Sequence, residues 1–236
     1  MTDSENSLRP QGAPAAQRAA RPFVQRLKLI IWVGALTPAA ILLWRALHDG
    51  LGANPIEKIT HWTGRTSLTL LMITLAVTPL RRLTGYNPII QTRRLIGLFA
   101  FFYAVLHFLT YVVLDLFFDF SMVAEDILKR PYITVGFTAL VLLIPLAITS
   151  TKGWIRRMGR KWTVLHRLIY VSGALGVLHF YWKVKADTRL PLFYAGVYAV
   201  LMLARWRWST AKTAKAATPA RKKMGRPGDV PDLPKV

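Results

Sequence analysis

The stretch that decides the fold is residues 164–183, VLHRLIYVSGALGVLHFYWK. It is an apolar run of the ~20 residues needed to cross a bilayer, yet it carries His166 and His179. Ionisable side chains inside a span are costly and mark functional sites by default. Imidazole is the commonest protein ligand for metals and a standard axial ligand of haem iron. On one continuous helix, thirteen residues at ~1.5 Å each would set the two rings roughly 20 Å apart, one near each membrane face. At ~100° per residue they would also point about 140° apart. Either the helix bulges locally, or the two rings address centres on different sides, or one is not a ligand.

The rest of the chain agrees with a polytopic membrane protein. Of 236 residues 53% are hydrophobic, with 8 Trp, 8 Tyr and 11 Phe, a composition unlike that of a soluble domain of this size. The net charge of +21 would suit nucleic acid, but most Lys and Arg lie between apolar runs or in the tails, as topology signals do. Nucleic-acid binding is therefore not expected. Cysteine is absent, which excludes disulfides, Cys-ligated iron–sulfur clusters and covalent haem attachment. Neither GxGxxG nor GxxxxGK[ST] occurs, so no nucleotide-binding domain is expected.

Taken in order, residues 1–26 read as a disordered tail. Spans follow at about Leu27–Leu47, Trp62–Leu80, Leu95–Phe117, Tyr132–Ser150, the opening stretch, and Pro191–Trp206. Pro38 is expected to kink the first. The expected architecture is all-α, a six-transmembrane-helix bundle over residues 27–207, followed by a basic disordered tail over 208–236. Lys and Arg concentrate in the N-terminal tail, loops 81–94 and 151–163, and the C-terminal tail, while loops 48–61 and 118–131 are nearly balanced. The positive-inside rule then places both termini in the cytoplasm. Trp62, Trp154, Trp162, Trp182, Trp206 and Trp208 fall at span ends, as an aromatic belt requires.

In this topology His107 and His179 sit at similar depth in the outer halves of neighbouring spans. Two imidazoles so placed are what a six-coordinate b-type haem needs; the plainer alternative is a hydrogen bond to a neighbouring helix. His166, at the inner end, is either a second haem ligand or a side chain snorkelling to the headgroups. Arg93, fourteen residues before His107, and Arg94 are candidates for a haem propionate or for the inner iron, against a role as positive-inside anchors. His61 begins the second span and is a candidate to face a quinone or an outer haem edge, against simple solvation. The spans hold almost no carboxylate, only Asp115 near an outer end, which counts against the rival reading of a proton-coupled transporter or membrane scaffold.

The segments GLGANPIEKITHWTGRTSLTLL, TPLRRL, TRRLIGLFAF, KRPYITVG, LAITS and KWTVLHRLIYV resemble the MsrQ (YedZ) family, haem-binding membrane subunits of the bacterial periplasmic protein-methionine-sulfoxide reductase system. That family belongs to the wider ferric-reductase-like transmembrane superfamily. The resemblance covers about residues 27–207 and every span. It implies haem b, one or two, held by His107, His166 and His179, and associates FMN with the family, although no residue here can be matched to FMN. It also implies that the chain lies in the inner (plasma) membrane, with a periplasmic molybdopterin-containing catalytic subunit as partner. Ferric reductases and NADPH oxidases carry two histidines on each of the two ligand helices and a C-terminal flavin domain. This chain has three of the four histidines and too short a C-terminal segment for that domain. Its electrons are therefore expected from the quinol pool or a cytoplasmic flavin reductase. An alternative within the redox class is a ferric or oxygen reductase ending at the outer haem. The basic loop 151–163, with Trp154 and Trp162, is a candidate docking face for an acidic donor or anionic membrane lipid.

Overall fold

The computed structural model describes residues 15–217, with side chains over 22–207. Every regular element among them is helical: α1 (Ala15–Leu47), α2 (Pro55–Thr84), α3 (Arg93–Leu109), α4 (Phe120–Lys129), α5 (Pro131–Ile148), α6 (Lys152–Met158), α7 (Arg160–Leu165), α8 (Leu168–Lys183) and α9 (Arg189–Ala217). Among the described residues four segments are long and apolar enough to cross a membrane: Pro22–Leu47, Asn87–Asp115, Pro131–Ile148 and Arg160–Lys183. Helices α2 and α9, of 30 and 29 residues, have the length at ~1.5 Å per residue but are more polar. The exterior suits lipid, since Leu43, Leu203 and Val33 are more than half exposed. The buried core runs through Leu68, Leu71, Leu75, Ala100, Leu143, Leu146 and Val177.

Several boundaries differ from the expectations above. Residues 15–26 and 208–217, expected in the tails, are the ends of α1 and α9; residues 1–14 and 218–236 lie outside the described residues. Helix α2 starts at Pro55, not Trp62, because Asn54 Oδ1 accepts from Glu57 N (3.2 Å) and Pro55 takes the first helical position, where its missing N–H costs nothing. Hydropathy alone sees only the later apolar run. The stretch 118–131 contains α4, capped by Asp119, and 151–163 folds into α6 and most of α7.

The opening stretch is not one helix. α7 ends on His166 and α8 begins at Leu168. The 140° phase difference, which assumed a continuous helix, therefore does not apply.

Helix α1 passes through Pro38 with a specific repair. Tyr103 Oη donates to Ala35 O (2.6 Å) and accepts from Ala39 N (3.1 Å), the two groups that would otherwise bond across one helical turn. A side chain inserted into the ladder beside a proline is a recognised cause of a bend. Tyr103 is fully buried, so this hydroxyl fastens α1 to α3.

Helices α2 and α3 pack antiparallel, as do α5 and α8. Ser67 Oγ donates to Ala100 O, and Ser172 Oγ donates to Ala139 O, both at 2.9 Å and both across 33 residues of sequence. The two hairpins stand side by side through α3 and α5 and enclose the cavity described next.

A paired histidine site between two helical hairpins

His107 reaches the site from the last turn of α3, just before the backbone widens into a π-helical segment over Thr110–Asp115, a feature frequent at functional sites. His179 comes from the last two turns of α8. Their ring centroids are 6.1 Å apart with planes at 74°. Each ring is fixed in the same way. His107 Nδ1 lies 2.9 Å from Thr60 O, and His179 Nδ1 lies 2.7 Å from Tyr132 O. A carbonyl can only accept, so each Nδ1 carries the proton and each Nε2 keeps its lone pair. Outer hydrogen bonds of this kind orient metal-ligating histidines.

The two rings face a cavity of about 280 Å³ between the hairpins, near the lower bound of ordinary ligand pockets. Leu68, Leu71, Phe137 and Leu143 give it apolar walls, and Arg65, Arg130, Lys183 and His61 bring positive or titratable groups to it. Arg130 is paired with Asp126 (Nε–Oδ1 3.0 Å), which also accepts from Tyr111 Oη (2.7 Å). Lys183 Nζ stands 5.8 Å from the Tyr132 ring centroid. Among the described residues Asp115 is the one carboxylate lining the space.

The donor set fits a haem iron. Metal–imidazole bonds of about 2.0–2.1 Å place the centroids of two rings on one ion roughly 6.3 Å apart. The 6.1 Å here is close to that span. The walls are apolar, and the cations suit propionate carboxylates.

Glycine stands behind both rings. A Cβ on Gly64 would fall 3.0 Å from His107 Nδ1 and Cε1, and one on Gly136 would fall 2.6 Å from His179 Nδ1. Carbonyl, glycine and histidine thus recur at one offset of 72 residues: 60 to 132, 64 to 136, 107 to 179. The bonded positions 67·100 and 139·172 obey the same shift. The hairpins α2–α3 and α5–α8 are structural repeats. Comparing the chain with itself at that offset could have found the glycines; weighing histidines one at a time does not.

The remaining candidates are placed differently. His61 lines the cavity and reaches Glu57 Oε1 at 3.5 Å. His166 lies away from it. Its ring stacks on Trp162 (centroids 3.9 Å), and its Nε2 is 3.2 Å from Thr149 Oγ1. Arg93 is close enough to act on His166 electrostatically. Arg94 begins α3 and is the residue that the 72-residue shift equates with His166.

Residues 63–177 match the family model described as ferric reductase like transmembrane component, a range that includes Gly64, His107, Gly136 and His166 and stops just before His179. The relatives include a "Protein-methionine-sulfoxide reductase heme-binding subunit MsrQ" of Xanthomonas axonopodis pv. citri (strain 306), 51% identical over 201 residues, covering 81% of this chain and 92% of the relative. A protein of the same name in Xanthomonas oryzae pv. oryzae (strain MAFF 311018) is 50% identical over 196 residues, 80% of this chain and 90% of its own length. Another, in Herminiimonas arsenicoxydans, is 50% identical over 197 residues, 82% of this chain and 90% of its own.

Proposed function

The chain belongs to the MsrQ family, and from that premise we propose that it is a transmembrane electron-transfer subunit whose outer haem b is ligated by His107 Nε2 and His179 Nε2. The observation that carries the reading is the matched pair of rings, each with Nδ1 tied to a backbone carbonyl and the centroids 6.1 Å apart. When bound, haem supplies one-electron chemistry; the protein supplies axial ligands, burial and local charge. Thr60 O and Tyr132 O hold the two imidazoles in one tautomer. Arg65 and Lys183 are the cations for propionates, and the apolar walls keep water from the iron.

In this reading six helices span the inner membrane, α2 and α9 among them, with both termini cytoplasmic by the positive-inside rule. Electrons enter at the basic end from quinol or a flavin-carrying donor, FMN included. They leave at the His107–His179 end to a periplasmic molybdopterin-containing reductase of methionine sulfoxide in proteins, where the substrate chemistry takes place. His166 is the candidate ligand of a second, inner haem.

Detergent-purified protein with oxidised and dithionite-reduced spectra, and haem and flavin counted per chain, tests this. One b haem per chain supports the outer centre alone, and two support the full relay. Protein without haem, from cells able to make it, overturns the reading.

A further inference from the structure

We infer that Gly64 and Gly136 are positioning residues for the two histidines, and that Gly136 holds its partner the more tightly. The inference rests on ligation by His107 and His179 and goes beyond it.

Each glycine lies one helical turn after the carbonyl that accepts from the ring: Gly64 after Thr60, Gly136 after Tyr132. In an α-helix that carbonyl already receives the N–H of the residue four positions on, here the glycine itself. A carbonyl has two lone pairs, so the second can take Nδ1–H, provided the imidazole can lie flat against the turn between them; Thr63 Oγ1, also 3.1 Å from Thr60 O, gives its single proton to the nearer Ile59 O at 2.8 Å. Only a residue without Cβ leaves that space.

The two positions differ in tightness. At Gly136 an added Cβ would meet His179 Nδ1 at 2.6 Å, Cε1 at 2.9 Å and Cγ at 3.0 Å. These atoms belong to a rigid ring, so the ring would have to leave its seat and give up the bond to Tyr132 O. At Gly64 the corresponding contacts are 3.0, 3.0 and 3.5 Å, and a displacement of a few tenths of an ångström would relieve them with Thr60 O still in reach. Helical glycine elsewhere has no such duty. A Cβ on Gly97, in the same helix as His107, would meet only the Thr74 side chain, Cγ2 at 3.5 Å and Oγ1 at 3.9 Å.

Reconstitution of Gly136→Ala, Gly64→Ala and Gly97→Ala in full-length, detergent-purified protein orders the three. Haem per chain, low-spin electron paramagnetic resonance and the midpoint potential of the outer centre are the readouts, with thermal melting as the check on folding. Gly136→Ala should lose the low-spin bis-imidazole signal or convert it to a high-spin one. Gly64→Ala should keep the haem with shifted g values and potential. Gly97→Ala should match the parent. Should Gly136→Ala not fold, the shift in Gly64→Ala against an unmoved Gly97→Ala decides. Parent-like g values and potential in folded Gly136→Ala and Gly64→Ala would overturn the inference, as would equal shifts in all three variants. His179→Ala separates this from the reading beneath it. If that variant keeps the outer haem, ligation itself is wrong; if it loses the haem while both glycine variants stay parent-like, only the positioning role is wrong.

Discussion

His179 and His166 stand thirteen residues apart, flanking the same span, yet different atoms hold their rings. His179 is tied through Nδ1 to a backbone carbonyl at 2.7 Å, which leaves Nε2 with its lone pair. His166 is tied through Nε2 itself, 3.2 Å from the Thr149 hydroxyl. That hydroxyl already gives its single proton to Pro145 O at 2.6 Å, so Nε2 must be the donor and Nδ1 keeps the lone pair. The Trp162 ring, whose Nε1 donates to Thr149 O at 3.0 Å, covers one face. The end where the repeat is symmetric brings two rings with unengaged Nε2 atoms to the lining of one cavity. At the other end the repeat pairs Arg94 with His166, and the histidine is turned inward to its neighbours. A histidine in a span announces a site, but the partner of its other nitrogen decides whether it can ligate.

The largest effect should come from breaking the symmetric end. His107→Ala and His179→Ala should each remove the same low-spin haem completely, with no additive loss in the double variant, whereas His166→Ala should leave that haem's spectrum and potential unchanged. Visible and electron paramagnetic resonance spectra of the purified variants check this. A six-coordinate haem surviving in either of the first two would dissolve the contrast between the ends.

A smaller effect should come from a site at neither end. Tyr103→Phe removes the hydroxyl that bridges Ala35 O and Ala39 N, so these groups lose their partner in a buried seam unless α1 closes up to bond them directly. The cost should be about 1–3 kcal/mol, read as a lowered melting temperature with spectra of both ends unmoved. A spectral change would mean that the α1–α3 contact is coupled to the haem site.

The smallest effect lies beside the symmetric end, at the cap of α4. Hydrogen bonds from Ser121 and the Met122 amide hold the Asp119 carboxyl below the usual carboxylate range. Its folded pKa is depressed, so the cap is intact above the unfolded value and is lost as pH falls through the folded one. Limited proteolysis around residues 116–130 should therefore accelerate only in acid, and Asp119→Asn should flatten that pH dependence. Acid cleavage unchanged by the substitution would assign it to another group.

Much of this protein was legible from the order of its residues. The apolar runs established an all-helical membrane protein, because hydropathy over ~20 residues is a local property. That His107 and His179 share one level of the bundle followed from counting along two spans, and the rings do stand 6.1 Å apart; the motifs named the family. The helix boundaries were less legible at Pro55 and Phe120, where caps rather than hydropathy set the start. Tertiary structure alone decided which nitrogen each histidine offers, since that depends on carbonyls 47 residues away in sequence. It also decided that His166 lies at a break between α7 and α8, with Nε2 engaged. Finally, it showed that two glycines stand behind the two rings, because what a missing Cβ makes room for is known only when the facing helix is in place.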